Sequence, residues 1–187
     1  PLKFEFPHLS SSNSTYIEKD FEEKKKIFKN IKSYFSYFKK INVIIDNDLP
    51  MSTVAPFRRE HPMFKNVDDW VLKNSTKIGT LDMLLNAGEF HNEMTKQSIK
   101  LEMPVLGSSA NTSLTGSKYN LDDIDLPVIN GADILIDGGT SKYENEKGRS
   151  STIIDFGNFE TIRIGVCYDA IRKIFSTFGV DLMEDRE

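Results

Sequence analysis

Residues 150–165, SSTIIDFGNFETIRIG, determine most of the fold that the sequence predicts. Two runs rich in β-branched residues, 150–156 and 160–165, flank the pair Gly157-Asn158. A short Gly/Asn turn between two such runs is typical of a β-hairpin. We therefore predict two antiparallel strands that are neighbours in one sheet.

The second of these strands carries an arginine between two isoleucines. Side chains alternate across a strand, so Arg163 points away from the core if Ile162 and Ile164 point into it. A guanidinium there can bind an anion through two parallel hydrogen bonds. An ordinary exposed arginine is the alternative interpretation.

Outward from this hairpin, the remaining apolar periodicities predict an interleaved set of strands and helices. Strands are predicted at 1–9, 41–46, 77–86, 103–107 and 132–137, helices at 17–39, 67–74, 89–101 and 168–178, and loops at 47–63 and 139–149. We expect 103–107, 132–137, 151–156 and 160–165 to lie in a single sheet. The interleaving without strict βαβ regularity predicts an α/β (α+β) class with a mixed parallel and antiparallel sheet flanked by helices.

The composition fits one globular domain and excludes several classes of protein. The 187 residues, 39% hydrophobic and 28% charged, suffice for one sizeable core and suit neither a disordered chain nor a membrane protein. No apolar run approaches the roughly 20 residues that span a bilayer. The single cysteine excludes an internal disulfide framework and a zinc site built on paired cysteines. We expect a reducing compartment, the cytoplasm.

Charge is unevenly distributed along the chain. Residues 1–40 contain nine lysines and five acidic residues, a local charge of +4, whereas the whole chain carries −4. This pattern fits a basic helix on an acidic body, or simply the solvated face of a helix. Residues 175–187 are expected to form a C-terminal tail.

The segment 105–113, VLGSSANTS, is the strongest candidate for a binding loop. A predicted buried strand is followed there by small residues, which would expose closely spaced backbone N–H groups and hydroxyls to phosphate oxygens. A simple polar turn is the alternative. The candidate phosphate-binding side chains are those of Ser108, Ser109, Asn111 and Ser113.

Other chemistry-bearing residues give weaker signals, and each has an ordinary structural interpretation. Arg58 and Arg59 are candidates for the mouth of a site or for surface ion pairs. The acidic run 122–125 suits a solvated loop better than a metal site. Cys167 precedes a helix, where its thiol pKa would be lowered, but a buried structural cysteine is the preferred interpretation. The three histidines, His8, His61 and His91, lie on unlike elements, and no metal site is predicted.

Four motifs occur together in one order along the chain: GSSANTSLTG at 107–116, ADILIDGG at 132–139, SSTIID at 150–155 and RIG at 163–165. This order resembles the YrdC-like family, whose best-known members are threonylcarbamoyl-AMP synthases. The segment IGTLDMLLN at 78–86 is similar to the strand that precedes the motifs in that family. The resemblance covers about 78–175. It implies a twisted mixed sheet flanked by helices, with a concave ligand-binding surface.

The resemblance also implies an activity and a set of site residues. Family enzymes condense L-threonine, bicarbonate and ATP to threonylcarbamoyl-adenylate for the threonylcarbamoyladenosine modification of tRNA. By motif match, Ser109 and Asn111 would hold the phosphates of ATP or its Mg²⁺, with Ser108 beside them. Ser151 would contact the nucleotide or the threonine carboxylate. Arg163 would neutralise charge near the phosphates as the catalytic residue.

The sequence departs from the family pattern at several places. The P-T-[DE]-T-x-Y-G-L and K-x-R-P segments of the family do not occur, so we expect 1–187 to be a single domain that lacks the family's N-terminal strand–helix segment. Leu84 stands where the family has an arginine, and N-T-S-L-T-G inserts residues before Gly116. We therefore expect residues 1–187 alone to form little threonylcarbamoyl-AMP.

Two alternatives to the synthase remain open at this point. One is a catalytically degenerate module that binds a nucleotide or double-stranded RNA. The net negative charge outside residues 1–40 argues against the RNA-binding form of this alternative. The other is a carbamoyl-transfer relative that uses the same adenylate chemistry. In each case the expected partners are ATP with Mg²⁺, L-threonine and bicarbonate, or RNA, and no membrane.

Overall fold

The computed structural model describes residues 39–77, 79–112 and 115–184. The chain divides into two units, Pro1–Lys39 and Lys40–Glu187, and the elements below belong to the second, apart from Lys39. The predicted strand at 1–9, nearly all of the predicted helix 17–39 and Ser113 lie outside the described residues.

In the described part of the chain, six strands form one mixed sheet, with helices between them in the sequence. The strands are β1 (Met51–Pro56), β2 (Thr76–Lys77), β3 (Thr80–Leu85), β4 (Thr152–Asp155), β5 (Glu160–Arg163) and β6 (Met183–Glu184). The helices are α1 (described over 39–46), α2 (Asp69–Ser75), α3 (Glu89–Leu101), α4 (Leu126–Asn130) and α5 (Tyr168–Thr177), with 3-10 turns at Pro62–Phe64 and Leu121–Asp123.

The strand order is β2-β3-β1-β4-β5-β6. The pairs β1–β4 and β5–β6 are parallel, and the other three neighbouring pairs are antiparallel. The predicted α/β class with a mixed parallel and antiparallel sheet is therefore confirmed. The predicted C-terminal tail, 175–187, contains the end of α5 and strand β6.

The predicted hairpin at 150–165 is confirmed as β4 and β5, joined by a four-residue turn. The Asp155 carboxylate accepts a hydrogen bond from the Gly157 N–H at 2.6 Å, and the Phe159 N–H donates to the Asp155 carbonyl at 2.8 Å. Phe159 takes the left-handed conformation that lets so short a turn close, with φ of 61°. These turn contacts join residues that are close in the sequence, which is why the sequence alone could predict the hairpin.

The core lies where α5 packs against this hairpin. Ile171 and Phe175, one helical turn apart, are fully buried, as is Ile154 on β4. The ring of Phe175 stacks edge-on against Phe156 and Phe159, with centroids 5.8 and 5.9 Å apart. Burial of each such side chain contributes about 1.5–3 kcal/mol, so this cluster anchors one face of the sheet.

Residues 41–46, predicted as a strand, are helical instead. Lys40 and Ile44, four residues apart, are both buried on one side of α1, and this helical spacing overrides the β-propensity of the isoleucines and valine. The helix ends where the Leu49 N–H donates to the Ile44 carbonyl and Asp48 takes φ of 50°.

The predicted long loop 47–63 contains the strand β1, which lies between β3 and β4. The loop prediction was wrong because prolines bound this strand and do not interrupt it: Pro50 precedes it and Pro56 ends it. Between them, the first residues of β1 are buried.

The segments 103–107 and 132–137 are not strands, so the prediction of four strands in one sheet was wrong for these two. Both run in irregular conformation, and their apolar side chains are largely exposed, with Ile134 at 78%. The two remaining segments, 151–156 and 160–165, do contribute β4 and β5 to one sheet.

Candidate anion-binding site

A close approach of two backbone segments builds the candidate site at the start of β4. A side chain at Gly165 would place its Cβ only 2.2 Å from the carbonyl oxygen of Ser150 and 2.4 Å from the nitrogen of Thr152. Only glycine fits this position. The fully buried Thr152 hydroxyl accepts from the Gly165 N–H at 3.1 Å and donates to the Val166 carbonyl at 3.0 Å, which locks the two segments together.

A register irregularity directs Arg163 onto the face of the sheet opposite the core. Ile153 pairs with Arg163 and Ile154 pairs with Thr161, which leaves Ile162 as an extra residue on β5. Such bulges commonly redirect a side chain. Ile162 and Ile164 are 51% and 38% exposed, so the condition that both isoleucines point into the core is not met. Arg163 nevertheless pairs with Ile153 and lies on the face opposite the buried Ile154.

The Arg163 guanidinium is held by the neighbouring turn. Its Nε donates to the Ser151 carbonyl at 2.9 Å, and its Nη2 donates to the hydroxyls of Ser151 and Ser150 at 3.1 and 3.3 Å. Its Nη1 has no hydrogen bond within the part of the chain that the structure describes. The motifs SSTIID and RIG therefore meet through a side chain that is oriented and still has donors for a ligand.

A carboxylate lies on the same face of the sheet. The row Leu84, Ser52, Ile153 and Arg163 crosses β3, β1, β4 and β5, and Asp82 is two residues from Leu84 on the same side of β3. Burial raises the pKa of the Asp82 carboxyl, while a hydrogen bond from Ser52, the positive charge of Arg163 and the Met83 N–H act in the opposite direction. No local sequence pattern indicates this carboxylate, because its position depends on the pairing of β3 with β1.

The predicted phosphate loop is exposed, and part of it is already occupied by a carboxylate. Ser108 and Ser109 are exposed, and the Asn111 side chain donates to the Thr112 carbonyl at 2.9 Å. The Asp125 carboxylate accepts from the Thr112 N–H at 3.0 Å and from its hydroxyl at 2.7 Å. These donors are of the kind that a phosphate would use, and they hold the pKa of Asp125 below its ordinary value.

Among the predicted site residues that the structure describes, which leaves out Ser113, hydrogen bonds bring Ser151 and Arg163 into contact. Within the described ranges no hydrogen bond joins this pair to Ser108, Ser109 or Asn111. The loop and the arginine are therefore two separate candidate elements.

The two arginines of the predicted mouth have different surroundings. Arg59 donates to the Phe64 carbonyl at 2.7 Å and forms an ion pair with Asp69 at 2.8 Å, so its interpretation as a surface ion pair is confirmed. Arg58 is exposed. Through these two contacts the Arg59 guanidinium stabilises the turn before α2.

Metal chemistry and thiol chemistry gain no support from the described residues. No group of three or more His, Cys, Asp or Glu side chains in the described ranges could hold a metal ion. The His61 ring accepts from the Met63 N–H at 3.3 Å and caps the 3-10 turn. Burial raises the pKa of the Cys167 thiol, so the lowered value considered from the sequence was wrong.

No protein-family model, no curated protein and no solved structure matches the chain. Within the described part of the chain, no helix has both the length and the apolar character needed to cross a bilayer. The geometry gives one candidate anion-binding group, the oriented guanidinium of Arg163 on one face of the mixed sheet.

Proposed function

We propose that this chain is a threonylcarbamoyl-AMP synthase-like protein that acts on L-threonine, bicarbonate and ATP with Mg²⁺ in the cytoplasm, to supply the tRNA modification. The observation that carries the proposal is the Arg163 guanidinium, oriented by Ser151 and Ser150. The motif resemblance assigns these residues to one substrate site, and they are in contact across the β4–β5 hairpin.

Arg163 would bind an anionic group of the substrate and stabilise charge that develops during adenylate formation. An arginine held in place beforehand loses little side-chain freedom on binding, so more of the interaction energy goes to the ligand. Ser151 and Ser150 would position the guanidinium, and the backbone approach at Gly165 would hold both serines against β5.

The Ser108–Asn111 loop would be a second contact for the nucleotide. Its exposed hydroxyls are available, but the Asp125 carboxylate already uses the Thr112 N–H and would repel a polyphosphate. A Mg²⁺ bound to the nucleotide would offset part of that repulsion, since it prefers oxygen ligands such as those of ATP. We therefore place the anion at Arg163 first and at the loop second.

One observation favours the second candidate function, a nucleotide-binding module without catalysis. Leu84 lies on the strand row that ends at Arg163, where the resemblance calls for a second arginine. A triphosphate on this face would meet one arginine, and single displaced contacts can cost on the order of a hundredfold in rate. We expect residues 1–187 to bind ATP but to turn it over slowly.

The test measures ATP affinity by calorimetry and pyrophosphate release in the presence of threonine and bicarbonate. Arg163→Ala should weaken ATP binding by more than tenfold, since it removes a charge-assisted contact. Lys100→Ala, which removes an exposed cation on α3, is the matched control and should change nothing. Unchanged ATP affinity in Arg163→Ala would refute the assignment.

Two further measurements test the role of the loop and the expectation of slow turnover separately. The double variant Ser109→Ala with Asn111→Ala should weaken ATP binding by roughly 1–3 kcal/mol if the loop contacts the phosphates. Pyrophosphate release on the order of 1 per second or faster would refute the slow-turnover expectation and identify a further cation, with Arg58 the first to be tested.

A further inference from the structure

The segment 132–137, which follows α4, exposes apolar side chains and backbone groups together. Ile134, Leu135 and Ile136 are 78%, 48% and 60% exposed. Within the described part of the chain, no backbone N–H or carbonyl group of 133–137 forms a hydrogen bond. Successive apolar residues that include β-branched isoleucines favour a strand, and a strand needs such hydrogen bonds to a neighbour. The segment therefore has the character of a strand whose neighbouring strand is absent.

The charges beside these apolar residues are all negative. Side chains alternate across a strand, so Asp133 and Asp137 would share one side with Leu135, whereas Ile134 and Ile136 would share the other. Residues 119–141 contain five aspartates and no lysine, arginine or glutamate. A strand that pairs with 133–137 would therefore meet a negative charge at both ends of the apolar run.

These charges argue against a second copy of this chain as the neighbouring strand. Antiparallel pairing centred on Leu135 would place Asp133 of each copy opposite Asp137 of the other. Parallel pairing in register would place each aspartate opposite itself. Like charges directly opposite destabilise a strand pair, whereas opposite charges stabilise it. The segment therefore favours a neighbour that has a cation at each end of an apolar run.

We propose that 132–137 is a docking strand for an extended segment of another protein in which basic residues flank apolar ones, and that the two pair as antiparallel strands. Backbone hydrogen bonds supply the pairing. Ile134 and Ile136 pack against apolar side chains of the partner, and its basic residues lie opposite Asp133 and Asp137. The proposed function does not use this surface, so the inference and the proposed function can fail separately.

The experiment uses two synthetic peptides that differ only in the charge beside their apolar core. Both have the core valine-threonine-valine and a threonine at each terminus; one has a lysine on each side of the core, and the other has a glutamate there. In calorimetry on residues 1–187, the lysine peptide should bind at least about fivefold more tightly, because two exposed ion pairs replace two contacts between like charges. At saturation it should slow the exchange of the 133–137 amides that face it at least about tenfold.

Two double variants test whether the aspartates cause the preference. Asp133→Lys with Asp137→Lys should reverse it, so that the glutamate peptide binds more tightly. Both aspartates are exposed, so this variant should keep the wild-type circular dichroism spectrum. The matched control, Glu144→Lys with Glu146→Lys, makes the same change of charge at exposed positions of the segment 139–149 and should keep the preference for the lysine peptide.

The remaining outcomes overturn the inference. They are no binding of the lysine peptide, equal binding of both peptides, slowed exchange only outside 133–137, and a preference for the lysine peptide that survives in Asp133→Lys with Asp137→Lys. Dimerisation of the wild type in sedimentation, with slowed exchange of 133–137, would identify a second copy as the occupant and would also overturn it. ATP binding that depends on Arg163 is a separate result, which tests the proposed function alone.

Discussion

The segments 134–137 (ILID) and 152–155 (TIID) share their last two residues and are similar in sequence, but they differ in structure. The second is β4, in which Ile154 is fully buried, whereas Ile134 and Ile136 in the first are 78% and 60% exposed. Strand β4 pairs with β1 on one side and β5 on the other. An apolar run bounded by turn residues is therefore not enough for a strand, because the available pairing partners decide its fate.

The largest expected effect separates these two segments directly. Ile154→Ala should lower the free energy of unfolding by about 3–4 kcal/mol, because it removes buried methyl groups and leaves a cavity against α5. Ile136→Ala removes the same atoms from an exposed position and should change it by less than about 0.5 kcal/mol. Denaturant titration followed by circular dichroism measures both. Equal losses would mean that 134–137 is buried in solution, contrary to the structure.

The same contrast explains which parts of the fold the sequence could predict. The hairpin and α5 depend on local signals, a Gly/Asn turn and a helical apolar stripe, and both were predicted. Strand β1 was missed because Pro50 and Pro56 flank it and the segment MSTVA between them, with Ser52 and Thr53, is not an apolar run. The helix at 41–46 was missed because its buried side includes Lys40, a residue type that sequence reasoning places outside.

The candidate site likewise contains some contacts that the sequence could predict and others that it could not. Arg163 and Ser151 are close along a hairpin, so the motif order was enough to suggest that they meet. Asp82 reaches the same face only through the pairing of β3 with β1, which joins residues about thirty positions apart. The Asp125 carboxylate beside Thr112 is likewise a contact between two loops. No periodicity of one segment indicates such long-range contacts.

A second, smaller effect tests how tightly the hairpin region is built. Gly165→Ala should destabilise the protein by about 2–3 kcal/mol, because the new Cβ would overlap the backbone of 150–152, which cannot move away as a flexible side chain would. Gly138→Ala in the exposed segment meets nothing within 4 Å and should be neutral. Thermal unfolding of both variants measures the difference. If Gly165→Ala were as stable as Gly138→Ala, the close approach at Ser150 would be absent in solution.

The smallest effect concerns the loop region, which is held by polar contacts and not by burial. The Asp125 carboxylate accepts two hydrogen bonds from Thr112 and one from Thr115, and these lower its pKa in the folded protein. A carboxyl whose pKa is lowered on folding stabilises the folded protein at pH values above the unfolded-state pKa of that carboxyl, about 3.9. This contribution to stability is lost as the pH falls through the lower, folded-state pKa.

Wild type should therefore melt at a higher temperature than Asp125→Asn between about pH 5 and pH 7, and the gap should narrow as the pH falls below about 4. Melting curves at several pH values measure this gap, with Asp133→Asn, an exposed carboxylate without a hydrogen bond in the described part of the chain, as the control. A gap that stays constant down to the acid limit would show that the stabilisation does not depend on the charge of Asp125. The absence of a gap at every pH would show that the carboxylate does not hold Thr112. The Thr112 N–H would then be open to a phosphate, and the loop would replace Arg163 as the first anion site to test.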